Sequence, residues 1–181
     1  MKKVPHNLRL VGQNIYLRPI TIDDTELVLK WRNSKKVVEN FIYRQPVTRQ
    51  DHIKWLENKV DKGLVYQFIV CDLDSDMPVG VVYLQNFEEE NKKAESGIFL
   101  GEVYGKGIGT QAYKLLLDYA FNELGMHKVV ARVLAGNTAS VRLHEKSGYK
   151  QEAYLRDELF LDGKYEDLIL FGAINNDGKD K

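Results

Sequence analysis

Three glycines at alternate positions, Gly105, Gly107 and Gly109, are the residues whose type and spacing point most directly to chemistry. They follow a β-rich segment and precede a segment whose apolar residues, from Ile108 to Tyr119, recur at helical spacing. Glycines at the start of a helix let several backbone N–H groups converge on one anion, and the helix N-terminus adds its partial positive charge. The cluster therefore predicts a binding site for a phosphate or pyrophosphate.

Spacing distinguishes among the phosphate-binding motifs that use such glycines. A Walker P-loop needs four residues between its first glycine and a Gly-Lys pair, whereas three separate Gly101 from Gly105. The dinucleotide fingerprint Gly-x-Gly-x-x-Ala does match at Gly107, Gly109 and Ala112, but no acidic residue ends the next strand, which reads Leu-Ala-Gly-Asn at 134–137. A dinucleotide-dependent oxidoreductase and a glycine-rich turn without a ligand stay open as alternatives.

The elements that must position this cluster alternate between strand and helix signals. Strands are predicted at 13–18, 64–71, 79–87, 94–100, 129–134, 150–161 and 164–173, with Asp162-Gly163 as a hairpin turn. Helices are predicted from Thr21 to about Asn33, from Thr48 to Gly63, from the glycine cluster to about Leu124, and from Asn137 to about Lys146. The order β-α-α-β-β-β-α-β-α-β-β predicts one α/β domain over 1–181 with a mixed sheet, a core at about 13–174 and a polar tail at 175–181.

Composition restricts the classes of partner. Lys+Arg and Asp+Glu are both 26 of 181 residues, so the formal net charge is zero and nothing favours nucleic-acid binding. Cys71 is the only cysteine, which excludes an internal disulfide and a multi-cysteine zinc site and fits a reducing compartment; no metal is expected. The lysines near the N-terminus are not followed by a long apolar run, so we expect neither a signal peptide nor a membrane anchor, and a cytoplasmic location.

Two separated motifs resemble the GNAT N-acetyltransferase family. The stretch 104–110, Tyr-Gly-Lys-Gly-Ile-Gly-Thr, looks like the family's acetyl-CoA pyrophosphate loop, Arg/Gln-x-x-Gly-x-Gly/Ala. The stretch 137–149 resembles its Asn…Leu-Tyr-Glu-Lys-x-Gly-Phe segment, and 162–167 resembles the branch related to ribosomal-protein N-terminal acetyltransferases. The resemblance implies a GNAT-like fold in which the strands at 94–100 and 129–134 splay apart around the pantetheine arm of acetyl-CoA.

The resemblance also implies which residues bind acetyl-CoA. Backbone groups of Ile98, Phe99 and Leu100 would contact the pantetheine and the thioester carbonyl, and Asn137 would contact the CoA arm. The pyrophosphate would be held by six consecutive residues: Gly105, Lys106, Gly107, Ile108, Gly109 and Thr110. The usual Arg or Gln at the start of the loop is Tyr104 here, which removes a side-chain contribution but not the backbone one.

Two residues are candidates for proton transfer. The family's usual tyrosine acid falls on His144, whose imidazolium could protonate the departing CoA thiolate; the alternative is a partly exposed helix residue, with water as the acid. Glu95 shares a strand face with Gly97 and Phe99 by period-two counting, so its carboxylate could take a proton from the attacking amine; the alternative is a surface charge. Cys71 is expected to be a small buried residue rather than a nucleophile.

The acceptor is expected over the N-terminal helices. The runs 29–33, 40–43 and 52–55 resemble the branch that acetylates an amino sugar on a nucleotide carrier in pseudaminic-acid-type pathways, which makes Trp31, Arg32, Asn33 and Tyr43 candidate substrate contacts. For Trp31 and Trp55, a place in the core is an alternative at least as well supported.

The preferred acceptor is thus a nucleotide-linked amino sugar, with a protein N-terminal amine or a small amine or antibiotic as alternatives. The enzyme would be a monomer or homodimer, and a CoA-binding module without catalysis is the non-enzyme alternative.

Overall fold

The computed structural model describes residues 3–101, 105 and 107–175. Its strands are β1 (Leu10–Val11), β2 (Ile15–Pro19), β3 (Tyr66–Asp72), β4 (Pro78–Glu88), β5 (Lys93–Leu100), β6 (Lys128–Leu134), β7 (Lys150–Leu161) and β8 (Lys164–Ile174). Its α-helices are α1 (Thr25–Arg32), α2 (Lys35–Val38), α3 (Arg49–Trp55), α4 (Ile108–Asp118) and α5 (Thr138–Lys146). A 3₁₀ turn, Ile22–Asp24, precedes α1, and π-helical turns, Leu56–Val60 and Tyr119–Glu123, extend α3 and α4.

One mixed sheet organises these elements. In the described part of the chain its eight strands run in the order β1-β2-β3-β4-β5-β6-β8-β7. Neighbours pair antiparallel except β5 and β6, which pair parallel through the crossover helix α4. The strand before the glycine cluster therefore belongs to an antiparallel meander, which is not the doubly wound parallel sheet of a dinucleotide-binding fold.

Helices cover both faces of the sheet, so strand residues of both parities are buried. On the α4 face, Leu17, Phe68, Leu116 and Phe171 belong to one apolar cluster. On the α1 and α3 face, residues of the opposite parity, Ile69 among them, form a second cluster. This explains why β3 is apolar through Phe68–Cys71 without alternation.

Local signals in the sequence explain where the helices begin. Thr48 and Asp51 form the expected capping box, in which the Thr48 side chain accepts the Asp51 N–H at 3.2 Å. The Asn137 side chain accepts the Ser140 N–H at 3.1 Å and so caps α5.

The predicted order of elements is confirmed, with two additions. β1 is too short and α2 too brief to leave a periodic signal. Cys71 is 1% exposed, as expected for a small core residue. The predicted pyrophosphate residue Lys106, and Tyr104 before it, lie outside the described residues.

Candidate active site

The gap between β5 and β6 is the central feature of the site. The two strands pair from Lys93↔Lys128 to Glu95↔Val130, and the described ladder ends there although both strands continue. Just beyond this point Ser96 Oγ donates to the Val130 carbonyl at 3.3 Å. A cavity of 930 Å³ lies against the gap and extends from the start of α4 to α1 and α3. Its size and its open end suit an extended ligand that passes between two strands.

The start of α4 forms one end of this cavity. Gly107 is the N-cap residue with φ 69° and ψ 19°, a left-handed conformation that favours glycine, and no side chain caps the helix there. Ile108, Gly109 and Thr110 line the cavity; the Ile108 N–H donates to the Gly105 carbonyl at 3.2 Å, which leaves the N–H groups of Gly109 and Thr110 for an anion. Gly109 also lets α5 approach, because a Cβ there would lie 3.0 Å from the Leu143 side chain. This end of the cavity fits a pyrophosphate group.

The residues expected to contact the pantetheine arm line the same cavity. Ile98, Phe99 and Leu100 are on β5 beyond its last pair with β6, and Asn137 faces them from the start of α5. The structure therefore brings the predicted acetyl-CoA contacts that it describes to one cavity.

Glu95 lies at the point where β5 and β6 part. Its carboxylate accepts hydrogen bonds from Asn86 Nδ2 at 3.0 Å and from Arg132 Nε at 3.2 Å, and its side chain is 15% exposed. The guanidinium of Arg132 comes from the opposite strand, so the pair spans the closed end of the gap. A partly buried carboxylate in this position can accept a proton from a group in the cavity.

His144 is buried rather than partly exposed. It is 2% exposed, stacks on Phe171 with ring centroids 5.2 Å apart, and packs against Tyr113 and Tyr149. Its Nδ1 lies 2.7 Å from the Ser140 carbonyl oxygen, which can only accept, so Nδ1 carries the hydrogen. Burial lowers the pKa of His144, and Nε2 has no partner among the described residues. The structure thus favours a neutral imidazole whose Nε2 carries no hydrogen. Such a nitrogen can accept a proton, whereas a general acid would require the imidazolium form.

The far wall of the cavity contains buried polar groups without partners. Arg32 is 9% exposed, its Nη2 donates to the Tyr43 carbonyl, and its guanidinium lies 4.3 Å over the Phe41 ring. Its Nη1 has no partner in the described part of the chain, and burial lowers its pKa. His52, 6% exposed, has no described partner for either ring nitrogen, and burial lowers its pKa. Buried polar groups normally have partners, so these nitrogens of Arg32 and His52 distinguish this wall from the apolar core around it.

Trp31 and Asn33 do not line the cavity. Trp31 is 3% exposed in the core, and a Cβ on Gly101 would lie closer than 3 Å to its ring. Asn33 is exposed. Its Nδ2 donates to the Val47 carbonyl and its Oδ1 accepts the Val47 N–H, both at 2.8 Å. Of the four predicted acceptor contacts, the structure brings Arg32 and Tyr43 together at the cavity, whereas Trp31 and Asn33 support the chain around it.

Arg44 forms ion pairs that connect the loop between α2 and α3 to the β7–β8 hairpin. Its side chain is 14% exposed and pairs with Asp162 in the hairpin turn, with Nη2 3.8 Å from Glu166 Oε1. Its Nε also donates to the Phe41 carbonyl at 3.3 Å. Arg44 therefore fixes the loop that presents Phe41 and Tyr43 to the cavity.

Sequence analysis did not select His52 or Tyr83, although both line the cavity. His52 follows the Thr48 cap and could have been assigned to a helix face. No signal in the sequence could have placed Tyr83 against the gap, because its position depends on the β4–β5 register. Within the described residues, no helix is long and apolar enough to cross a bilayer, and no cluster of three metal-binding side chains is found.

Comparison with known proteins places this geometry in context. The family model described as an acetyltransferase (GNAT) domain matches residues 14–150. The chain is 30% identical over 180 residues to a probable N-acetyltransferase, YjcK, of Bacillus subtilis strain 168, which covers 93% of this chain and 98% of that protein. It is 31% identical over 121 residues to the putative ribosomal N-acetyltransferase YdaF of the same strain, covering 66% of this chain and 62% of the relative.

A solved structure has the same fold. The crystal structure of spermidine N-acetyltransferase from Vibrio cholerae in complex with CoA and spermine matches with a TM-score of 0.83 at 23% identity, covering 90% of this chain and 96% of the other.

Proposed function

Because this chain belongs to the GNAT acetyltransferase family, we propose that it moves the acetyl group of acetyl-CoA directly to a primary amine while both substrates are bound. One observation carries the proposal: one cavity connects the start of α4, which no described side chain caps, with polar groups on α1 and α3 that have no partner among the described residues. A pyrophosphate at one end and an amine-bearing group at the other would both be within one continuous space, so no covalent enzyme intermediate is needed.

In such a transfer, different described residues bind the coenzyme and accept the proton. The first-turn N–H groups of α4 bind the pyrophosphate, and the β5 backbone at 98–100 positions the thioester. Glu95 accepts the proton that the amine must lose, directly or through a water molecule. The nitrogen forms a bond to the acetyl carbon, the carbon–sulfur bond breaks, and the thiolate takes its proton from solvent, because His144 is held neutral with its only hydrogen on Nδ1.

The acceptor proposed is an amine that also carries an anionic group, and the preferred example is a nucleotide-linked amino sugar. Arg32 supports this choice, because a buried guanidinium with an unpartnered Nη1 favours a carboxylate or phosphate. The aromatic rings of Phe41 and Tyr43 beside it suit a sugar or base. Among the relatives are enzymes named for spermidine and for ribosomal proteins, so a polyamine and a protein N-terminal amine are the alternatives.

The test is a panel of acceptors with release of the CoA thiol as the readout. The panel contains glucosamine, glucosamine 6-phosphate, a nucleotide-linked amino sugar, spermidine and a peptide with a free N-terminus. We expect the phosphate-bearing amines to have the highest kcat/KM, and Arg32→Gln to reduce that advantage by about tenfold to a hundredfold. Arg49→Gln removes the same charge from α3 at a residue that does not line the cavity, and it should leave the ranking unchanged.

Glu95→Gln tests the base in the same assay. We expect kcat to fall by about a hundredfold or more, with the affinity for acetyl-CoA retained. Binding of acetyl-CoA without turnover on any amine would instead identify a CoA-binding module, and a wild-type preference for spermidine over every anionic amine would overturn the assignment of the acceptor.

A further inference from the structure

Tyr83 reaches the gap from the neighbouring strand. It lies on β4 opposite Gly97 of β5, and it lines the cavity. A Cβ on Gly97 would lie closer than 3 Å to Cζ and to Oη of Tyr83, so the phenol passes directly over the glycine. The gap is on the far side of β5 from β4. Glycine at 97 therefore lets the Tyr83 hydroxyl extend across β5 toward the place where the strands part.

The hydroxyl of Tyr83 is neutral, and among the described residues it has no hydrogen-bond partner. Burial raises its pKa to about 12, with a further contribution from the carboxylate of Glu95. The guanidinium groups of Arg32 and Arg132 act in the opposite direction and do not cancel this effect. Among the described residues no group makes a hydrogen bond with the hydroxyl, although Glu95, Arg32 and Arg132 are near enough for their charges to act on it. A neutral phenol keeps an oxygen lone pair and one hydrogen for a ligand.

The hydroxyl of Tyr83 lies on the face of the sheet where we expect the acceptor amine. Glu95, Gly97 and Phe99 share one face of β5, and Phe99 packs in the cluster beneath α1 and α3. This is the face of Arg32 and His52, and it is opposite to the face of α4. A group above Gly97 on this face is next to Glu95 and one residue before the β5 stretch assigned to the thioester. We therefore expect an amine that attacks the acetyl carbon to lie near this position.

We propose that Tyr83 is a catalytic residue whose hydroxyl oxygen accepts a hydrogen bond from an N–H of the acceptor amine and directs the nitrogen lone pair at the thioester carbonyl. This inference rests on the proposed function. The contact breaks no bond and moves no proton; Glu95 remains the group that takes the amine proton. Tyr83 fixes the direction of attack, which contributes most in the transition state.

Tyr83→Phe is the direct test, because it removes the oxygen and keeps the ring over Gly97. We expect kcat/KM for the amine to fall about tenfold, mostly in kcat, while the KM for acetyl-CoA stays within twofold. Tyr165→Phe removes a hydroxyl from an exposed tyrosine in the hairpin, and it should match wild type. Gly97→Ala keeps the hydroxyl but displaces it, so we expect a similar loss, and the Tyr83→Phe/Gly97→Ala double variant should lose no more activity than the larger single loss.

The outcomes separate this inference from the one it rests on. Turnover of Tyr83→Phe equal to wild type, or independent and multiplicative losses in the double variant, would overturn the role of Tyr83 and leave the acetyltransferase proposal intact. A rise in the KM for acetyl-CoA with unchanged kcat would also overturn it, since that places the hydroxyl on the coenzyme. If the wild-type protein acetylates no amine, both inferences are wrong. Circular dichroism and thermal unfolding confirm that each variant is folded before it is assayed.

Discussion

A matched pair of substitutions at Gly107 provides the sharpest test of the proposed pyrophosphate site at the start of α4. Gly107 is exposed, has φ 69°, and a Cβ added there would meet nothing within 4 Å. Asn and Asp tolerate this left-handed conformation better than other residues, and they have nearly the same shape. Gly107→Asn and Gly107→Asp should therefore impose the same small backbone cost and differ only in one negative charge.

The size of that difference follows from the position of the charge. A carboxylate at 107 would lie about 6 Å from an anion on the first-turn N–H groups of α4, which costs about 0.7 kcal/mol per charge pair in water and about 3 kcal/mol at an effective dielectric of 20. Because the residue is exposed, the lower figure applies to each of the two pyrophosphate charges, and the sum is about 1.4 kcal/mol, or about tenfold in Kd.

Isothermal titration of acetyl-CoA into the two variants measures this difference directly. We expect Gly107→Asn to bind within a few-fold of wild type and Gly107→Asp to bind about tenfold more weakly than Gly107→Asn. The difference should shrink in high salt, because exposed charges are screened. Equal affinities in the two folded variants would show that no phosphate lies at the start of α4, and the reasoning from the glycine cluster would fail.

Three further substitutions test other parts of the molecule. Arg44→Gln releases the loop that holds Phe41 and Tyr43 at the cavity, so we expect the KM for the amine to rise several-fold with the KM for acetyl-CoA unchanged, as steady-state kinetics would show. His144→Phe should keep turnover within a few-fold of wild type, because the neutral imidazole is not the acid; a loss above a hundredfold would restore that role. Burial lowers the pKa of His144 from 6.5, so the folded state loses stability as the pH falls below that value. Urea unfolding at pH 7.5 and 5.5 measures this loss. We expect the free energy of unfolding to decrease less for His144→Phe than for wild type or for the control His6→Asn, whose side chain is exposed. Gly101→Ala should cost about 1–3 kcal/mol in the same unfolding assay, because the new methyl group meets the ring of Trp31.

Those parts of the site that depend on local chain properties could be predicted from the sequence. The strand–glycine–helix order around Gly107 and the cap at Asn137 are short-range signals, and the structure places both where they were expected. The parity of Glu95, Gly97 and Phe99 on β5 was also readable, because side chains alternate along a strand.

The parts that depend on packing could not be predicted in this way. Trp31 and Arg32 are adjacent in the sequence, yet one is enclosed by the core against Gly101 and the other faces the cavity, because neighbouring helix positions point in different directions. The burial of His144 depends on Phe171 and Tyr113, which are distant in the chain, and the approach of Tyr83 to Gly97 depends on strand register. Tertiary contacts of this kind determine which of several plausible side chains meets the ligand.

The short parallel ladder at the base of the gap also bears on how ligands affect the whole molecule. In the described chain, β5 and β6 share three residue pairs, and they connect a block of five strands to a block of three. Acetyl-CoA seated between the two blocks would act as a ninth strand, with its amide-rich arm replacing pairing that the sheet itself does not make. We therefore expect the coenzyme to raise the melting temperature by binding the folded state, and to slow amide hydrogen exchange most at 96–100 and 131–134, where it would join the two blocks.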